Sequence, residues 1–177
     1  MKKIMLMAVM AVFAAFSAHA QEEFMIDGSK GKLSAIIVKP ELKPGEKCPM
    51  VMMLHGFMGN KNGALERGMA EKLKAAGIAS IRFDFNGHGK SEGRFQDMTV
   101  PNEIEDALKV YEYVTSLPYV SDVAISGHSQ GGVVTAMTSA QLGVDKVKCA
   151  VLMAPAAVLR DDAIRGSTMG ARYNPLD

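Results

Sequence analysis

The sequence predicts an α/β protein, a mostly parallel sheet with helices on its faces. Apolar runs of strand length recur along the chain: "KLSAIIVKP", "PMVMMLHG", "IASIRFDF", "DVAISG" and "VKCAVLMAP". Segments with apolar residues at helical spacing stand between them. The runs are continuous rather than alternating, most clearly from Pro49 to Gly56. Such runs belong to strands covered on both faces.

Each element has its own signal. Lys32 to Pro40 reads as a strand that stops at proline, and "ELKPGEK" as a turn. After the run to Gly56 comes a loop with Gly59, Asn60 and Gly63. Leu65, Met69, Leu73 and Ala76 then repeat at helical spacing, with Gly77 as the stop. "IASIRFDF" is a strand ending near Asp84, followed by the glycine-rich loop "NGHGKSEGRF". Pro101 suits a helix first turn, and Ile104, Ala107, Leu108, Tyr111 and Val114 form one apolar stripe running to about Leu117. "DVAISG" is a short strand, Gly131 to Leu142 a helix stopped by Gly143, and "VKCAVLMAP" a strand closed by Pro155. The tail to Asp177 is mixed.

The 177 residues suffice for one domain with a real core, and 48% apolar with 22% charged residues is ordinary for a globular chain. No basic stripe exists, which excludes a nucleic-acid partner as an expectation. The fourteen methionines read as core filler. Residues 1–20 differ: Lys2 and Lys3 precede an apolar run from Ile4 to Phe16, and Ala18-His19-Ala20 fits a small-x-small cleavage site. This is the pattern of a signal peptide cleaved after Ala20, too short to span a bilayer. A secreted or periplasmic protein without a stable membrane anchor is expected. Cleavage removes two lysines and no acid, so 20 basic against 19 acidic residues becomes 18 against 19.

Chemistry concentrates at "AISGHSQGGVV". Gly127-His128-Ser129-Gln130-Gly131 is a G-x-S-x-G sequence with a strand before it and a helix after it, the context of a nucleophile elbow. Glycines flank the serine because the turn is too tight for side chains. The hydroxyl of Ser129 stands above the sheet edge, near a helix N-terminus. The backbone N–H of Gln130 is then placed to bind an oxyanion. A second donor belongs in the loop after the third strand, where His55-Gly56 ends a buried run; the N–H of Phe57 fills that role. His55 reads as a residue that holds the loop, and His128 as one packed under the turn. Ser129 is the expected catalytic nucleophile, Phe57 and Gln130 the oxyanion donors, and His55, Gly56, Gly127, His128 and Gly131 their support.

With these residues placed, the chain resembles the α/β-hydrolases, and more narrowly the bacterial feruloyl/cinnamoyl esterases. The stretches are "LHGFMGNKN", "FDFNGHGKSEGRF", "MTVPNEIEDALKVYEYV", "GHSQGGVV" and "APAAVLRDDAIRG". "GHSQGG" and "HGF" are common to many lipases and esterases; the "DFNGHGKSEG" loop and "MTVPNEIEDA" are more particular. The resemblance implies a strand order of 1-2-4-3-5-6, hydrolysis of hydroxycinnamic esters such as those of plant cell walls, and no metal or cofactor. Its alternatives are another hydrolase of this fold (an acylglycerol lipase or a peptidase) and a truncated domain that only binds.

One part of the motif set is absent. The triad order on this fold is Ser, acid, His, and no histidine follows Ser129. His88 lies in a glycine-rich loop and reads as structural. The acid and histidine are therefore expected beyond Asp177, with the last strands and most of a cap. Residues 21–157 are then the N-terminal part of the hydrolase core and residues 158–177 the start of a cap, and this chain alone would not complete the reaction. Asp84, Arg82 and Glu92 read as loop-holding residues, and Glu103, Glu105 and Asp106 as dipole compensation on a solvated face. Cys48 and Cys149 are expected to be buried and unpaired, because the strand approaching Ser129 lies between theirs.

Overall fold

The computed structural model describes residues 23–168 and 171–172; the signal segment expected at residues 1–20 lies outside them. A six-stranded sheet runs in the order β1-β2-β4-β3-β5-β6, the order the resemblance implies. Strands β1 (Glu23–Asp27) and β2 (Lys32–Val38) form an antiparallel hairpin, with Phe24 opposite Ala35. β2 runs antiparallel to β4 (Ala79–Phe83). From there the sheet is parallel: β4 pairs with β3 (Cys48–Leu54), β3 with β5 (Val120–His128), and β5 with β6 (Cys149–Met153). The hairpin strand β1 escapes the sequence reading. It is five residues long, and only Ile26 in it is fully buried.

Helices cover both faces. α1 (Ala64–Ala75) packs on β2 and β4, over a small core of Ile36, Val38, Met53 and Ala70. α2 (Val100–Ser116) and α3 (Gln130–Leu142) pack against each other and over the larger core, which holds Met50, Met52, Leu54, Ile81, Ile125 and Val134. Thr99 caps α2, its Oγ1 accepting a bond from the Asn102 N–H at 3.2 Å, and Pro101 stands in the first turn. A short helix α4 (Leu159–Arg165) and a hairpin of β7 (Ser167–Thr168) and β8 (Ala171–Arg172) follow. Among the described residues no helix is long and apolar enough to cross a membrane.

Three expectations need correction. Leu65 and Ala76 do not face the core; Leu65 is 42% exposed, and Glu66 and Ala70 are the buried residues of α1. The face is set by Ala70 against β2 and β3, and the Glu66 carboxylate folds back over Gly63, where a Cβ would overlap it. Glu103 and Asp106 are not on a solvated face: both are buried against amide partners described below. Cys149 is exposed, while Cys48 is buried. Among the described residues β6 is an edge strand, and Val151 and Leu152 are 42% and 46% exposed with it. The two cysteines sit on opposite sides of β5, Cys48 opposite Val120 and Cys149 opposite Ala124.

The chain leaves β3 toward β4 on one side and leaves β5 toward β6 on the other. The loops after β3 and β5 therefore part at the carboxyl ends of neighbouring strands. Open α/β sheets form their ligand crevices at such a point.

Candidate active site

Ser129 is the single residue between β5 and α3, with φ 55° and ψ −120°. A non-glycine side chain in that region is strained, at a cost of about 1–3 kcal/mol, and persists only where its surroundings hold it. They do so here. The Ser129 N–H bonds to the Met153 carbonyl at 3.0 Å, extending the pairing with β6. The Ser129 carbonyl accepts two bonds, from the N–H of Gly132 and of Ala156, each at 3.0 Å. A Cβ on Gly127 would overlap the Gly131 carbonyl, and one on Gly131 would overlap the carbonyls of Leu54 and His55. Glycine at both positions is therefore a packing requirement of the elbow.

The carbonyl of Ser129 and the N–H of Gln130 belong to one peptide group and point in opposite directions. With the carbonyl held inward by two donors, the Gln130 N–H points outward. It is also the first N–H of α3, which has no partner within the helix. The loop after β3 repeats the device. The Gly56 carbonyl accepts from the Gly59 N–H at 2.9 Å and from the His55 ring at 2.9 Å. The Phe57 N–H, on the far side of that peptide group, is turned away from both. Met58, in the same turn, takes a φ of 56°. The two segments touch: a Cβ on Gly56 would lie 3.0 Å from Ser129 Cβ and 3.2 Å from the His128 carbonyl. A cleft of about 450 Å³ opens there, lined by Gly56, Phe57, Met58, Asn60, His128 and Ser129.

His55 is buried, with the Phe85 N–H donating to its Nε2 at 3.2 Å. Its proton is therefore on Nδ1, where it donates to the Gly56 carbonyl. Burial pushes the ring down to about 4, against the opposing pull of the Gly56 carbonyl, so the imidazole is neutral at pH 7. These two bonds tie the ring to the loop after β3 and to the end of β4. His88 packs its ring against His55, at 5.0 Å between centroids, and against Phe95, at 5.1 Å, with Nδ1 3.3 Å from the Asn86 carbonyl. Burial lowers its pKa as well. His128 departs from expectation. Its side chain is exposed and lines the cleft instead of packing under the turn, because β5 ends there and the alternation of the strand turns it outward. Among the described residues no histidine ring is hydrogen-bonded to the Ser129 hydroxyl.

The loop residues form a buried clamp that the sequence half announces. Asp84 accepts from the Lys61 N–H at 2.6 Å and from the Lys61 ammonium at 2.7 Å, both side chains being 1% exposed. The Lys90 N–H adds a third bond at 2.8 Å, and the Arg82 guanidinium donates to the Lys61 carbonyl at 2.9 Å. Glu92 accepts from the Lys32 N–H at 2.8 Å. Together they fix the end of the Phe57 loop to the end of β4. Lys61 carried no sequence signal, since a lysine is rarely buried unless paired.

Glu103, like Asp106, is buried where the sequence reads a solvated face. Its Oε2 accepts a bond from the Gln130 side-chain amide at 2.7 Å, and burial pushes its carboxyl up to about 7. Asp106 accepts from the N–H groups of Ser29 and Asn86, at 2.7 and 2.8 Å, and burial raises its pKa. On the open side, Phe57 and Phe95 meet at 5.4 Å between centroids with their rings tilted by 50°, and both are partly exposed, as is Met58. Among the described residues no group of three His, Cys, Asp or Glu side chains is arranged to hold a metal ion.

A family model, that of serine aminopeptidase S33, matches residues 45–172. The chain belongs to that hydrolase family. Members of the S33 family and this chain share the α/β-hydrolase fold. Est1E from Butyrivibrio proteoclasticus, solved with ferulic acid bound, superposes with a TM-score of 0.80 and 33% identity, over 87% of this chain and 61% of Est1E. The bovine (Bos taurus) mitochondrial palmitoyl-protein thioesterase ABHD10 is 31% identical over 49% of the chain and 27% of its own length. The quorum-quenching protein AidA of Acinetobacter baumannii is 31% identical over 64% of the chain and 38% of its own length. The chain thus spans about a quarter to two fifths of these curated relatives and about three fifths of Est1E.

Proposed function

We propose that this chain carries the nucleophile and oxyanion hole of an exported serine carboxylesterase, acting on hydroxycinnamoyl or related aryl and acyl esters. Ser129 Oγ attacks the ester carbonyl and the alcohol leaves, forming an acyl-enzyme that water then hydrolyses. The N–H groups of Phe57 and Gln130 take the negative charge that develops on the carbonyl oxygen. In this reading the proton passes through a histidine outside residues 1–177, oriented by an acid also outside them. His55 is tied to two backbone groups, His88 is packed among aromatic rings, and the His128 ring, though it lines the cleft, makes no hydrogen bond to the Ser129 hydroxyl, so none of the three is read as the base.

The observation that carries the reading is the pair of peptide groups beside the strained serine. Each carbonyl is held by two donors, so each N–H is oriented before any substrate arrives. Preorganised donors of this kind are worth roughly 10²–10³ in rate apiece. The aryl preference is supported by the exposed Phe57–Phe95 wall and by the likeness to Est1E. The likeness to a palmitoyl-protein thioesterase favours a second reading, the release of a long acyl chain.

The natural full-length protein decides between them. Methyl ferulate should be cleaved with a higher kcat/KM than p-nitrophenyl palmitate. The reverse order would move the assignment to the second reading.

A further inference from the structure

The Gln130 backbone is held at its Ser129 end by the two bonds to the Ser129 carbonyl, but its side chain leaves the elbow and enters the interface between α3 and α2. There it is 4% exposed, and its amide nitrogen meets two neighbours: Glu103 Oε2 at 2.7 Å and the Met98 sulfur at 3.4 Å. A thioether is a weak acceptor, so the carboxyl is the partner that fixes the amide. We propose that Glu103 is a positioning residue for the oxyanion hole, holding the first residue of α3 through its side chain so that its N–H faces the cleft. This rests on the reading of Phe57 and Gln130 as oxyanion donors.

Two features separate this contact from ordinary packing. First, a buried carboxyl is a poor choice for stability alone, since an apolar pair of the same shape does as well. Second, Glu103 also borders a pocket of about 220 Å³ that opens between the exposed Lys30, Arg94 and Asp97, so its proton state is not sealed from its surroundings. The charged groups facing that cavity are few. Lys30 comes from the β1–β2 turn, Arg94 and Asp97 from the loop before α2, and Asp106 from the next residues of α2 itself. Arg94 and Asp97 pair with each other at 2.7 and 2.8 Å, and Asp106 is bonded to the backbone of Ser29 and Asn86. Burial pushes the Glu103 carboxyl up to about 7, with the Gln130 amide opposing the rise and Asp106 adding to it. As pH falls through that value, the carboxylate takes up a proton, becomes a neutral and weaker acceptor, and its anchor on Gln130 weakens.

The test uses the full-length protein and two readouts. In ¹H–¹⁵N spectra the Gln130 backbone N–H should shift with a midpoint near pH 7 in the wild type and stay flat over the same range in Glu103→Gln. In steady-state assays Glu103→Leu should lower kcat by about tenfold or more with little change in KM, as expected when a transition-state donor is displaced. Glu103→Gln, which keeps an acceptor of the same shape, should stay within about threefold of wild type. Glu105→Gln, exposed on the same helix, is the control. If the Gln130 N–H responds neither to pH nor to Glu103→Gln, the inference is overturned, and the spectra decide this even if Glu103→Leu does not fold. A folded Glu103→Leu protein with wild-type kcat overturns it too. A wild-type protein with no esterase activity would instead count against the functional reading, a result the spectra do not depend on.

Discussion

Gly56 and Ser129 meet across the carboxyl ends of β3 and β5, so closely that a Cβ on Gly56 would lie 3.0 Å from Ser129 Cβ. This contact sets the distance between the two peptide groups that face the cleft. Gly56→Ala therefore has to open the site by a few tenths of an ångström, because the other neighbour is the His128 carbonyl, a backbone atom at 3.2 Å. The expected result is a fall in kcat on the order of tenfold with a folded protein, since small misplacements of oriented groups are costly. Circular dichroism and steady-state kinetics on the full-length protein check it; an unchanged kcat would mean that the two segments do not act as one site.

His55 supplies a pH test. Its ring is held neutral with a pKa of about 4, against 6.5 when unburied. A histidine with a lowered folded pKa contributes stability that is complete above the unfolded value and is lost as pH falls toward the folded one. Between pH 6.5 and about 4, His55 should remove up to about 3 kcal/mol of stability. His88, lowered by burial as well, adds to the same loss. Urea unfolding at several pH values measures the slope, and His55→Asn should flatten it. An NMR titration placing the His55 ring midpoint near 6.5 would contradict the arrangement around Gly56.

The Lys61–Asp84 pair is buried with both side chains 1% exposed. The Glu23 carboxylate, 3.7 Å from the Lys61 ammonium and partly exposed, is a second and weaker partner, so removing the Asp84 charge leaves Lys61 only partly compensated, at a cost of about 1–3 kcal/mol. Asp84→Asn should therefore destabilise the protein by that order in chemical denaturation and loosen the loop that carries Phe57. A loss below about 0.5 kcal/mol would show that the Asp84 contact does not hold Lys61.

The outline of the fold was readable because its strands are apolar and its turns are marked by glycine and proline. The elbow was readable because Gly127 and Gly131 leave no room for side chains, a constraint that appears in the sequence as the residue type itself. What escaped has a common physical character. Lys61, Glu103 and Asp106 look like surface residues, and their burial depends on partners distant in sequence: Asp84, the Gln130 amide, and the backbone of Ser29 and Asn86. His128 was misplaced for a related reason. Which face of a turn a side chain takes follows from where β5 ends, and the local sequence does not state that.

The central claim is that Ser129 is the nucleophile, and one substitution tests it most directly. Ser129→Ala in the full-length protein removes only the hydroxyl oxygen. The helix α3 receives no cap bond from that side chain, so the fold should be unaffected. Hydrolysis of methyl ferulate and of a short p-nitrophenyl ester should fall by about 10⁴-fold or more, with an unchanged circular dichroism spectrum. A folded Ser129→Ala protein that turns over either ester at close to the wild-type rate would contradict the account.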